Sequence, residues 1–116
     1  MQNMIKSIGK KLNTYHRCLN QELPLDYDYD KDFGMYFMIT NISTTGYKDV
    51  ATLDIHFIGL DKHKGSMYLA ISRIAKEMDK ELIEDLWLTK KSNWYIDTRD
   101  DEYNHIILTF DINRYK

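Results

Sequence analysis

The chain has one cysteine, one proline and no long apolar run, and each scarcity removes a class of protein. A lone Cys18 cannot form an internal disulfide, so the fold does not depend on an oxidising compartment. No apolar stretch approaches the about 20 residues that a membrane-spanning helix needs, so no membrane partner is expected. The opening Met1-Gln2-Asn3-Met4-Ile5-Lys6 has no continuous apolar core, and no secretory signal is expected there. There is no internal repeat, low-complexity tract or linker. A strong charge of one sign is missing too, since the net charge is −2. Lys6, Lys10, Lys11 and Arg17 stand against Glu22 near the start. Duplex binding needs a more concentrated basic face than that, so nucleic-acid binding is not indicated.

What is present suits one folded domain spanning all 116 residues. Hydrophobic residues make up 43% and aromatic residues 13%, which argues against intrinsic disorder. The clearest pattern lies in Val50–Met78. Ala51, Leu53, Ile55 and Phe57 alternate with Thr52, Asp54 and His56, the period of a half-buried strand. Past the turn 59–66, Met67, Ala70, Ile71, Ile74, Ala75 and Met78 follow the spacing of one helix face. Ser66 is the expected N-cap of that helix, 67–79.

The same reasoning covers the rest of the chain. Ile5, Ile8, Leu12, Tyr15 and Leu19 predict an amphipathic helix over Gln2–Leu19, followed by a loop over Leu23–Gly34. Met35–Ser43 reads as a strand buried on both faces. Thr44-Thr45-Gly46 reads as a hairpin turn with Gly46 at positive φ, and the second strand runs over Tyr47–Ile58. Lys80–Leu88 extends the second helix or forms a short helix of its own. Strands are expected over Asn93–Thr98 and Tyr103–Arg114, joined by the charged turn Arg99-Asp100-Asp101-Glu102. The order α-β-β-α-β-β describes an α+β domain, a mainly antiparallel sheet with helices on one face.

Chemistry-bearing motifs are sparse. The run Asp26-Tyr27-Asp28-Tyr29-Asp30-Lys31-Asp32 begins like a calcium loop. Lys31 stands where that loop needs glycine, and Phe37 where it needs glutamate, so a solvated acidic loop with tyrosines on the core is the better reading. Asp54 and His56 share one strand face and are close enough to pair, but no nucleophile on a strained turn accompanies them. His16 and Cys18 point to different faces of a helix and form no dyad. Lys62, His63 and Lys64 precede a helix N-terminus without the glycine spacing of a phosphate loop. Nine tyrosines, mostly at element edges, fit an interface better than base stacking. No catalytic residue, cofactor or metal ligand is assigned.

The element order resembles the tail-terminator, or tail-to-head joining, proteins of long-tailed bacteriophages. The matching features are the N-terminal helix, the strands Met35-Tyr36-Phe37-Met38-Ile39 and Val50–Phe57, and the helix Met67–Met78. The charged loop Asp97–Tyr103 and the strand Ile107–Tyr115 complete the likeness, which is diffuse and has no diagnostic motif. The resemblance implies structural work: a homo-oligomeric ring, hexameric in that family, that caps the tail tube and docks on the head connector protein. Its implied partners are other copies, the tail tube protein and the connector, with DNA only passing through. It also implies a place at the tail–head junction of the virion after synthesis in the host cytoplasm. Interface positions would be Asp26, Asp28, Asp30, Asp32, Asp54, His56, Lys62, His63, Lys64, Arg99, Asp100, Asp101 and Glu102. A head–tail connector or minor capsid component is the alternative, and a small metal-dependent enzyme using Asp54, His56 and the acidic loop a further one.

Overall fold

A computed structural model describes residues 2–100 and 102–115, with side chains for 3–91 and 102–115. Helix α1 (Gln2–Leu12) leads to strands β1 (Gly34–Thr44) and β2 (Lys48–Leu60). A single 3-10 turn, Asp61–His63, then opens helix α2 (Lys64–Glu77). Strands β3 (Glu81–Ile83), β4 (Leu86–Asp100) and β5 (Tyr103–Tyr115) complete an α+β domain. One five-stranded sheet has the order β1-β2-β5-β4-β3, and every adjacent pair is antiparallel. The final strand therefore lies in the middle, between β2 and β4.

The alternation in β2 decides which way the sheet faces. Leu53 pairs with Ile39 and Phe110, and Ile55 with Phe37 and Leu108, so these side chains share one face. They join Met4, Ile8 and Leu12 of α1 and Met67, Ile71, Ile74 and Ala75 of α2 in one buried cluster. Leu53, Ile55, Phe57, Ile106, Leu108, Phe110 and Ile112 all have zero exposure, so this face is the floor of the core. Burying a single side chain of that size is worth about 1.5–3 kcal/mol.

Several boundaries differ from the sequence expectation, each for a local reason. The first helix stops at Leu12 rather than Leu19. Asn13 ends it: its side-chain amide donates to the carbonyls of Gly9 and Cys18, and its side-chain oxygen accepts from the Cys18 N–H. Leu19 is diverted to the sheet edge, where its backbone exchanges two hydrogen bonds with β1 beside Tyr36. Helix α2 starts at Lys64, with His63 at the N-cap position and no side-chain cap, so Ser66 lies inside the helix and is not its cap.

Strand β1 is buried only from Gly34 to Phe37, and Thr40–Thr44 is exposed, so it is not a strand covered on both faces throughout. No described glycine has positive φ, so Gly46 does not supply one. Thr45 closes that hairpin instead: its N–H and hydroxyl donate to the Lys48 carbonyl, and the hydroxyl oxygen accepts from the Lys48 N–H. Positive φ falls on Asn41, at the register shift between β1 and β2. Lys80–Leu88 is not helical. Positive φ at Lys80 ends the helical path, and positive φ at Glu84 reverses the chain between β3 and β4. Strand β4 thus begins at Leu86 and runs to Asp100, so residues 99 and 100 are strand rather than turn, and β5 follows from Tyr103.

Candidate functional site: the second sheet face and its loops

The face opposite the core is built from the other half of each alternation. It carries Tyr36 and Met38 of β1, Thr52, Asp54, His56 and Ile58 of β2, and His105, Ile107, Thr109 and Asp111 of β5. Most of these side chains are half-buried or exposed, while Tyr36 and Thr52 are buried. The face is neither a second core nor a uniformly wetted surface.

Cross-strand pairing decides what Asp54 and His56 do. Thr109 stands directly opposite Asp54, and its hydroxyl donates to the carboxylate at 2.7 Å. His56 stands opposite Ile107, which places His105 on the diagonal, within reach of a long side chain. His56 Nδ1 meets His105 Nε2 at 2.9 Å, a separation at which one ring donates and the other accepts. The His56 ring also stacks on Tyr36, with centroids 4.4 Å apart and planes 8° from parallel. Asp54 and His56 therefore face different hydrogen-bond partners and form no dyad. Burial is the main reason the His56 pKa is lowered, and the charge of His105 lowers it further. The carboxylates of Asp54 and Glu22 act in the opposite direction. Burial likewise raises the Tyr36 hydroxyl above its ordinary range, aided by Glu22 and Tyr29.

The two charged segments flanking this face meet each other. Lys62 reaches Asp30 at 2.9 Å, and His63 Nε2 lies 2.9 Å from the Asp30 carbonyl. Asp32 accepts from His16 Nε2 at 2.8 Å and from the backbone N–H of Phe33. The His16 ring stacks on Phe33, so the acidic loop is fastened both to the end of α1 and to the turn before α2. Asp28 accepts from the Asp30 N–H, while Asp26 stays exposed. The tyrosines seal this loop: the Tyr27 hydroxyl donates to the Phe33 carbonyl, and Tyr29 packs edge-on against Tyr103. Exposed Glu102 sits one residue before that Tyr103. Lys64 stays exposed, its ammonium 5.8 Å from the Tyr68 ring centroid. The side chains of Arg99 and Asp100, and Asp101 altogether, lie outside the described residues.

The structure thus brings Asp30, Lys62 and His63 together and ties Asp32 to His16. It keeps Asp54 and His56 on a neighbouring surface. Among the described residues no three or more histidine, cysteine, aspartate and glutamate side chains converge on a common metal position. Cys18 is buried, and that burial pushes its thiol up to about 12, so it is a small apolar group at neutral pH rather than a nucleophile. No described helix is long and apolar enough to cross a membrane. Sequence reasoning missed His105 and Tyr36 as partners of His56. The alternation around Ile106 and Leu108 already put His105 on the second face, but nothing local said that β5 would pair with β2.

No family model matches this chain, and no curated protein matches it either.

Proposed function

We propose that this chain is a structural subunit that acts by self-assembly, as a tail terminator whose ring caps the tail tube and joins it to the head. In this reading the helices pack over the core side of the sheet, and the second face is turned toward neighbouring copies. The observation that carries the proposal is the contrast between the two sheet faces. One is sealed by apolar side chains of both helices. The other offers Met38, Asp54, Ile107, Thr109 and Asp111, a mixed apolar and polar surface typical of a non-obligate interface. A second feature favours repeated association. Strand β3 pairs with only the first residues of β4, so most of the outer edge of β4 is not covered by β3. A ring requires two different surfaces that meet head to tail and close. The sheet face and this edge supply two such surfaces, and the acidic loop supplies negative charge beside them.

Adding the purified chain to polymerising tail tube protein tests the proposal. The expected result is shorter tubes with the chain bound at one end, and co-elution of the chain with tube protein. A chain that stays a strict monomer and leaves tube length unchanged would contradict it. Binding to connector protein alone would favour the head–tail connector reading over the terminator.

A further inference from the structure

We propose that His56 and His105 form a two-histidine site for a divalent transition metal of the zinc, nickel or copper class, clamping β2 to β5. This goes beyond the assembly reading and does not depend on it. The two imidazoles come from neighbouring strands, and Nδ1 of one lies 2.9 Å from Nε2 of the other. Ring centroids 5.1 Å apart leave the two nitrogens pointing nearly at one another. Without a metal, the N–H of one ring donates to the other across that gap. Zinc bound tetrahedrally, at about 2.0–2.1 Å from each nitrogen, would hold them about 3.3–3.4 Å apart. The nitrogens would need to part by about half an ångström, and the rings to turn so that both lone pairs converge on the ion.

The surroundings favour the metal in two ways. Stacking against Tyr36 fixes the plane of the His56 ring, so little orientational freedom is left to lose on binding. Asp54 stands two residues from His56 on the same sheet face, and its carboxylate would offset part of the cation's charge. Imidazole donors select zinc, copper and nickel over calcium or magnesium. Among the described residues only these two imidazoles are placed to ligate, and water would fill the other positions.

Calorimetric titration of the chain with zinc alone, and separately with calcium, tests this. One zinc per chain and no calcium heat are expected. Loss of even an outer-shell partner weakens metal sites about 10–100-fold, so His56→Asn and His105→Asn should each weaken zinc binding at least about tenfold. Should either variant fail to fold, cobalt titration of the unaltered chain followed by NMR decides the matter. The ring signals of His56 and His105 should broaden first, with those of His16 and His63 unaffected. No zinc binding, zinc binding that survives His105→Asn, or broadening centred on His16 or His63 would each overturn the proposal.

Discussion

The two faces of this sheet are made by the same strands, yet they follow different rules. On the core side of β2, Leu53, Ile55 and Phe57 have zero exposure. On the opposite side, Asp54 and His56 are half-buried, and both act through named polar partners from β5. Stability on the first face comes from apolar area and tight packing, which no single neighbour supplies. On the second it comes from pairwise contacts, each worth about 1 kcal/mol, that a new partner can replace. A face held in the second way can exchange partners without unfolding the domain.

The largest expected effect comes from the first face. Phe57→Ala should cost about 3–5 kcal/mol in denaturant unfolding, because it removes a fully enclosed ring at the centre of the core. A loss under about 1 kcal/mol would mean that the face is less closely packed than described. A smaller loss is expected where β2 leaves the core. An added Cβ at Gly59 would stand 2.9 Å from the Phe33 Cβ and 3.2 Å from the Met67 sulfur. Gly59→Ala should therefore cost about 1–3 kcal/mol, read as a lower midpoint with unchanged denaturant slope.

The smallest of these effects belongs to the second face. Thr109→Val removes the donor to Asp54 while keeping side-chain volume, and should cost about 0.5–1.5 kcal/mol. If Thr109→Val matched Phe57→Ala, the distinction between the faces would fail.

Much of this architecture was legible in the sequence, and the physics explains both the success and the limit. The alternation at Ala51–Phe57 and the helical spacing at Met67–Met78 are local signals, and both elements appear where those signals put them. The ends of elements depended on side chains whose role is set by geometry: Asn13 closing α1, and Glu84 turning β3 into β4. Lys80–Leu88 misled because Leu82, Ile83 and Leu86 have a spacing that a helix and a hairpin both satisfy. The site was less legible. Asp54 and His56 were visible as neighbours on one strand face. Thr109, His105 and Tyr36, which decide what those two do, come from strands whose pairing is non-local. The fastening of the acidic loop by Lys62, His63 and His16 was hidden for the same reason.

The central claim is that the second face binds copies of this chain while the first holds the fold. Met38 lies on that second face, is exposed, and pairs with Asp54 across β1 and β2. Sedimentation velocity of the unaltered chain and of Met38→Glu, over a range of concentrations, tests the claim most directly. The account predicts that the unaltered chain forms a discrete oligomer as concentration rises. Met38→Glu should remain monomeric with a nearly unchanged melting temperature. An unaltered chain that is monomeric throughout, or an oligomer that Met38→Glu leaves intact, would contradict it.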